Sequence, residues 1–220
     1  MAAGEGRRLR PLTERYAKPV LPIDGRPVIS TVLRELHEAG VSRITVVTGH
    51  LAEQVEGLLV GFDHELRFVR QPRPDGGADA VRCAALEPPY LVVGADTVFA
   101  PGDVGRFLAA TSGWDGGLAV RRRPPPGPSR ARVRIEDGRI VRIFDDDPAN
   151  PLAGAPLWLV GEAVHRQLPT LPGPPFELAV AVQRAVDEGA RIAGVEIGPT
   201  RDLTDPLDLV EGNFGYLRGL

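Results

Sequence analysis

The chain has 220 residues, of which 43% are hydrophobic and 25% are charged, a composition that suits a globular protein with its own core. Its formal net charge of -3 argues against general nucleic-acid binding, which favours a basic surface. No apolar run approaches the about 18 residues of a membrane-spanning helix, and the lone Cys83 favours a reducing compartment, so we expect one cytoplasmic domain over residues 1–220 that binds neither nucleic acid nor membrane.

Helix and strand patterns alternate through the first half of the chain. Apolar residues recur at helical spacing in residues 27–39, and a β-branched stretch at 43–48 predicts a buried strand. The same criteria predict helices at 51–59, 77–86 and 103–110 and strands at 66–69 and 90–94. This alternation predicts an α/β protein with a Rossmann-like three-layer α/β/α fold and a mostly parallel mixed sheet.

The second half is richer in loops and hairpins. Residues 121–128 are predicted to form a proline-rich loop, and Asp137-Gly138 predicts a hairpin between strands at 133–135 and 139–143. The remaining predicted elements are strands at 157–160 and 192–197 and helices at 161–168, 176–188 and 206–217. Because no repeat or linker interrupts the pattern, we expect a single domain with the proline-rich loops as lids or rims on its surface.

Glycines and basic residues cluster at the start of the chain: Gly4, Gly6, Arg7, Arg8, Arg10 and Lys18. Glycines let the backbone turn sharply and bring N–H groups close to phosphate oxygens. Arginine and lysine add charge-assisted donors for the same oxygens. The stretch is not a Walker loop and lacks the third glycine of the dinucleotide fingerprint, so it predicts a phosphate site of another kind.

The opening stretch has a family resemblance when it is read as a whole. Residues 2–13 read AAGEGRRLRPLT, residues 18–23 read KPVLPI, and Gly25 and Pro27 follow. This string resembles the signature of the sugar-phosphate nucleotidyltransferases, the nucleoside-diphosphate-sugar pyrophosphorylases. The resemblance implies that the nucleotide phosphates and the reacting centre are held by Ala3, Gly4, Gly6, Arg8 and Lys18.

Three later stretches extend the resemblance over almost the full length. Residues 71–81 are similar to the segment that reads the nucleotide base, which implies nucleotide-binding roles for Gln71 and Gly76. Residues 92–99 resemble a strand that ends in a catalytic, metal-binding aspartate, here Asp96, and residues 201–213 imply a second metal carboxylate, Asp202. The alternatives are that Asp96 caps a helix, and that Asp202 caps a loop while Asp205 competes for its role.

The part of the chain that would hold the acceptor departs from the family pattern. Where the family has Glu-Lys-Pro, this chain has Asp145-Asp146-Asp147-Pro148, so an acidic residue replaces the lysine that can bind a sugar phosphate. Asp145 remains a candidate substrate-binding carboxylate, and Glu177 is a second candidate for contact with sugar hydroxyls. An aspartate run is also typical of a solvated turn.

The resemblance implies a Mg²⁺-dependent nucleotidyltransferase that moves a nucleoside monophosphate from a nucleoside triphosphate to a sugar-1-phosphate, giving an NDP-sugar and pyrophosphate. The implied catalytic residues are Arg8, Lys18 and Asp96. Two alternatives stay open because of the changed acceptor side: a nucleotide-binding regulatory protein without catalysis, and a nucleotidyltransferase for a non-sugar phosphate such as an amino-alcohol phosphate. The sequence leaves the base, the acceptor and the oligomeric state open.

The glycine turn starts without a strand in front of it. In the family that the chain resembles, a hydrophobic strand of the sheet interior runs directly into this turn, and Met1 stands where its last residue would be. Without such a strand, apolar faces and backbone groups in the sheet would lack partners. The expectation is therefore a fold whose first strand is missing at the N-terminus, with the true start of translation further upstream.

Overall fold

The computed structural model describes residues 1–62, 65–122 and 131–219. Its α-helices are α1 (Val28–Glu38), α2 (Ala52–Leu58), α3 (Gly77–Ala84), α4 (Asp103–Ala110), α5 (Glu162–His165), α6 (Leu178–Asp187) and α7 (Pro206–Arg218). Short 3-10 helices cover Arg7–Leu9, Leu12–Glu14, Lys18–Val20 and Leu168–Thr170. Within these residues, no helix combines the length and the hydrophobicity needed to cross a bilayer.

The strands form a mixed set of sheets. They are β1 (Pro22–Ile23), β2 (Arg26–Pro27), β3 (Arg43–Thr48), β4 (Glu65–Arg70), β5 (Tyr90–Val93), β6 (Thr97–Val98), β7 (Gly116–Arg122), β8 (Val133–Glu136), β9 (Arg139–Ile143), β10 (Leu152–Val160), β11 (Ile192–Glu196) and β12 (Arg201–Asp202). Six of them form one sheet in the order β5-β10-β7-β11-β9-β8, in which β7 and β11 are parallel and the other neighbours antiparallel. Strands β3 and β4 pair in parallel, β1 pairs with β2, and β12 pairs with β6.

Helices pack on both faces of the main sheet, which confirms the predicted three-layer α/β/α arrangement. Successive residues of a strand point to opposite faces, and β7 shows this directly, because Ala119 packs in one core cluster and Leu118 and Val120 pack in the other. Helices α1 and α4 supply apolar side chains to the first cluster, and α3, α5 and α6 supply them to the second.

Most predicted elements are present, with corrections in the second half. Strand β7 was not predicted, and Arg121 and Arg122, which were assigned to a proline-rich loop, are its last two residues; the rest of that loop lies outside the described residues. Strand β10 begins at Leu152, five residues before the predicted start, and α5 has only 4 residues of the predicted helix at 161–168. Glycine and proline inside β7 and β10 have low strand propensity and weaken the sequence pattern of a strand. Pairing with neighbouring strands in the sheet outweighs this low propensity.

A gap one strand wide, the strand slot, separates β3 from β5. The Ala2 N–H donates to the Val47 carbonyl at 2.8 Å, the Met1 amino group donates to the Val93 carbonyl at 2.7 Å, and the Ala95 N–H donates to the Met1 carbonyl at 3.0 Å. The two N-terminal residues therefore bridge both strands, and burial lowers the pKa of the Met1 amino group to about 6 although the Asp96 charge opposes the shift.

Beyond those two residues the strand slot continues as a cavity of about 830 Å³. Its walls are the facing edges of β3 and β5 and the apolar side of α1. The cavity lies directly in front of the glycine turn, where the sequence predicts a further strand.

Candidate active site

A second cavity, of about 490 Å³, lies where β5 ends and the opening glycine turn begins. It brings together nine of the residues predicted for the site: Ala3, Gly4, Gly6, Arg8, Lys18, Gln71, Gly76, Asp96 and Glu177. Ligands of open α/β sheets bind outside the carboxyl ends of the strands, and Asp96 follows β5 at such an end. Although the strand slot is larger, this cavity is the one that holds the predicted phosphate-binding residues, and we treat it as the candidate active site.

The glycine turn has one constrained and one open position. Gly6 has a φ of 63°, in the left-handed region, and a side chain there would place its Cβ 2.8 Å from Thr13 Cγ2. The Thr13 hydroxyl donates to the Gly6 carbonyl at 2.9 Å and fixes the turn. Gly4 has no atom within 4 Å of the position of a Cβ, so the loop leaves open space on the side where a phosphate can approach its backbone.

Lys18 and Asp96 form an ion pair inside the cavity. The Lys18 ammonium donates to Asp96 Oδ2, and the side chains are 14% and 38% exposed respectively. Pro19 follows Lys18 in a 3-10 helix, and the Asp96 carbonyl accepts from the Leu203 N–H at 2.9 Å, so both backbones are held in place. The cavity thus presents one fixed positive and one fixed negative charge side by side.

Asp202 lies next to this pair but is enclosed in the protein. The Arg121 guanidinium donates to both of its carboxylate oxygens at 2.8 Å, and the two side chains are only 1% and 4% exposed. The Thr97 hydroxyl donates to Asp202 at 3.0 Å, and Arg121 also donates to Thr200. Asp202 does not line the cavity, and its role as a metal ligand stays a prediction.

Asp96 is the carboxylate that suits a divalent cation. Mg²⁺ keeps several waters and is usually held by one or two carboxylates together with substrate phosphates. Asp96 is open to the cavity and sits beside the glycine turn, whereas both oxygens of Asp202 are occupied by Arg121. Among the described residues, no three acidic, histidine or cysteine side chains cluster as a metal site, and of the two predicted metal ligands only Asp96 lines the cavity.

Gln71 and Gly76 form the wall that the sequence assigns to the base. The Gln71 side-chain amide donates to Asp79 Oδ2 at 2.8 Å and to the Gly76 carbonyl at 3.2 Å. Burial opposes ionisation of Asp79, but the hydrogen bonds from Gln71 and Arg82 lower its pKa overall. Gly76 has a φ of 112°, and the Phe176 backbone leaves no room for a Cβ. Packing therefore requires a glycine at this position, in addition to its predicted role of letting the backbone approach a base.

The two predicted acceptor carboxylates lie in different places. Glu177 is exposed, directly precedes α6 and lines the cavity. Asp145 is buried outside the cavity, where it accepts from Asn150 and Arg134, each at 2.7 Å. The Asn150 hydrogen bond and then the Arg134 charge lower the pKa of Asp145, although desolvation opposes the shift. Asp145 therefore closes the loop between β9 and β10, and only Glu177 is brought to the site.

Sequence reasoning missed several residues of the site region. Trp158 and Thr204 line the cavity, and Arg121 holds Asp202 through its guanidinium. Arg7 also lines the cavity, and the sequence had already placed it in the basic cluster of phosphate donors. Trp158 lies in β10, where the predicted strand did not reveal which face is turned to the cavity, and Arg121 was assigned to a loop.

Known proteins are similar to this chain in sequence. The profile of the family described as "MobA-like NTP transferase domain" matches residues 1–175. The chain is 28% identical to a glucose-1-phosphate thymidylyltransferase of Streptomyces antibioticus over 100% of this chain and 66% of the relative. It is 31% identical to a CMP-5'-(3-aminopropyl)phosphonate synthase of Streptomyces rubellomurinus over 78% of this chain and 29% of the relative.

Solved structures match as well. A UDP-glucose pyrophosphorylase complexed with UDP-glucose superposes with a TM-score of 0.85 at 20% identity, over 100% of this chain and 97% of that one. This likeness confirms the Rossmann-like fold. The chain spans no more than about two-thirds of the length of the two curated relatives above, 66% and 29%. Since the family profile covers most of the chain, the protein belongs to the MobA-like NTP transferase domain family, which confirms the resemblance to the sugar-phosphate nucleotidyltransferases.

Proposed function

We propose that the protein transfers a nucleoside monophosphate from a nucleoside triphosphate to a phosphorylated acceptor, most directly a sugar-1-phosphate, and releases pyrophosphate. The observation that carries the proposal is the joint placement of the glycine turn, Lys18 and Asp96 in one cavity with Gln71 and Glu177. The family and the thymidylyltransferase relative support the same reaction. The lone Cys83 and the nucleotide substrate favour a cytoplasmic enzyme.

The reaction needs alignment and charge neutralisation rather than a general base. An acceptor phosphate is already ionised at neutral pH, and one of its oxygens attacks the α-phosphorus while the bond to the bridging oxygen of pyrophosphate breaks. Backbone N–H groups at Gly4 and Gly6 and the Arg8 guanidinium hold the triphosphate. Lys18 neutralises charge at the phosphates, and Asp96 keeps the ammonium in position. Fixed donors of this kind stabilise the transition state without reorganisation.

We propose Mg²⁺ as the cofactor, held by Asp96 and the triphosphate. When bound it would neutralise phosphate charge as a Lewis acid. The arrangement makes Asp96 the protein ligand and leaves Asp202 in its pair with Arg121.

A non-sugar acceptor is the second candidate. Asp145, the carboxylate expected to face a sugar, is enclosed by Arg134 and Asn150, so only Glu177 of the two predicted acceptor residues reaches the cavity. One relative is a CMP-5'-(3-aminopropyl)phosphonate synthase. Its name points to an aminoalkylphosphonate as the acceptor class. A carboxylate at the acceptor side suits the ammonium group of such a molecule.

Pyrophosphate release measured over a panel of substrates tests the proposal. The panel combines the common nucleoside triphosphates with sugar-1-phosphates, amino-alcohol phosphates and aminoalkylphosphonates, with Mg²⁺ present. We expect release that depends on one acceptor class and is absent without acceptor. Triphosphate binding without release for any acceptor would instead favour the regulatory alternative and overturn the proposed enzyme.

A further inference from the structure

Helix α7 carries an apolar stripe on the surface. Its members are evenly exposed, between 57% and 61%: Leu207, Val210, Phe214 and Leu217. Their spacing of three, four and three residues places them on one side of a helix. Contiguous exposed apolar surface of this kind marks interaction sites more often than scattered single residues do.

The opposite side of α7 already has its partner, so the stripe is a separate surface. Gly212 packs on Ile23, and the Asn213 side chain donates to the Pro22 carbonyl at 2.8 Å and accepts from the Gly25 N–H at 2.9 Å. The Tyr216 ring lies over Gly25. These contacts fix α7 to β1 and β2, and they leave the stripe facing outward from a helix that is held in place.

The stripe is symmetric about the middle of the helix. Leu207 and Leu217 lie five residues before and after Gly212, and Val210 and Phe214 lie two residues before and after it. Two copies of α7 could pack antiparallel, stripe against stripe, around a two-fold axis that crosses the stripe at the height of Gly212. Each Leu207 would then meet Leu217 of the other copy, and each Val210 would meet Phe214 of the other copy. Such self-complementarity is what an isologous two-fold interface requires.

The charges on α7 fit the same arrangement. Asp205 and Asp208 lie seven and four residues before Gly212, and Arg218 lies six residues after it. In the antiparallel pair, Arg218 of one copy reaches the height between the two aspartates of the other, and the helix dipoles oppose each other. Arg218 is exposed and already lies over the Phe214 ring at 5.7 Å, at the end of the stripe.

We propose that two copies of this chain associate through antiparallel packing of their α7 stripes. A membrane surface is the less suitable occupant, because helices that lie on anionic lipid are rich in lysine and arginine, whereas α7 carries Asp208 and Glu211 against Arg218. The stripe has four residues, fewer than the roughly 20–30 residues that each partner contributes to a standard stable interface, so we expect a dimer with a micromolar dissociation constant.

Sedimentation equilibrium of the whole chain from low to high micromolar concentration tests the proposal. We expect a monomer–dimer equilibrium that Phe214→Glu and Val210→Glu each weaken by at least about tenfold. Val60→Glu is the matched control, since Val60 is 83% exposed outside α7 and should leave the equilibrium unchanged. Melting temperatures close to wild type would show that the stripe variants remain folded.

Cysteine cross-linking in a Cys83→Ala background tests the orientation. A mixture of Leu207→Cys and Leu217→Cys chains should form a disulfide-linked dimer under mild oxidation, and neither variant alone should do so. A monomer at all concentrations, a dimer insensitive to both glutamate variants, or equal cross-linking of each variant with itself would overturn the proposal. Binding to anionic vesicles without dimerisation would also overturn it.

Discussion

At the scale of single residues, two neighbouring aspartates have opposite environments. Asp96 is 38% exposed and shares its ion pair with Lys18 in the cavity, while Asp202 is 4% exposed and has both oxygens on Arg121. A carboxylate that is partly exposed in a cavity can meet a ligand, and an enclosed one stabilises the fold through its partner. The family resemblance assigns both aspartates to the metal and does not separate these roles.

The buried pair predicts a stability difference between variants. Asp202→Asn leaves the Arg121 charge enclosed without its counter-ion, which costs about 3–5 kcal/mol. Glu196→Gln is the matched control, because its partner Arg122 directly follows Arg121 and the pair is 54% and 47% exposed; this change should cost less than about 1 kcal/mol. Urea unfolding of both variants measures the difference, and equal losses would show that Arg121 does not depend on Asp202.

At the scale of secondary-structure elements, the strand slot interrupts the pairing between the β3-β4 sheet and the six-stranded sheet. Strands β3 and β5 both contact residues 1–2 but do not pair with each other. Strand β5 pairs with β10, and β3 pairs with β4. Their facing edges line a cavity of about 830 Å³. Backbone groups of a strand edge and apolar walls are both stabilised when a further strand fills such a gap.

Filling the strand slot should therefore stabilise the protein. We expect that an extension of about five apolar β-branched residues before Met1, close to the length of its neighbouring strands, raises the free energy of unfolding by at least about 2 kcal/mol. It would also convert the buried Met1 amino group into an amide. A glycine-serine extension of equal length is the control in the same urea titration, and an equal effect of both extensions would show that the slot does not accept a strand.

The elements also show where sequence reasoning succeeds. Strand β3 and helix α4 have the predicted bounds because each combines a clear apolar period with a clean glycine or proline boundary. Strand β7 was missed because Gly116 and Gly117 have low strand propensity, and it exists through pairing with β10 and β11. Most of the cavity residues could be predicted because they belong to the family-like stretches of the sequence. The contact between Arg121 and Asp202 could not, because it joins residues 81 positions apart and leaves no local pattern in the sequence.

At the scale of the whole molecule, the proposed nucleotide site lies at one edge of the sheet and the exposed stripe lies on the outer side of helix α7. The edge gathers the opening turn, the end of β5 and the start of α6 around the proposed nucleotide site. Helix α7 follows β12, which holds Asp202, and its outer stripe is the proposed contact with a second copy. The proposed dimer contact uses residues outside the cavity, so loss of the dimer and loss of nucleotidyl transfer are separable outcomes.

The rate of pyrophosphate release by Asp96→Asn tests the central claim, that the pair of Lys18 and Asp96 is the reacting centre. With the acceptor that the wild-type protein uses, we expect at least about a 100-fold loss of rate, because the Lys18 ammonium loses the carboxylate that positions it and the proposed Mg²⁺ loses its charged protein ligand. Stability should fall by no more than about 1 kcal/mol, since the ion pair is partly exposed. Glu162→Gln, the same carboxylate-to-amide change at an exposed residue outside the cavity, is the control and should keep wild-type activity; wild-type turnover by Asp96→Asn would contradict the account.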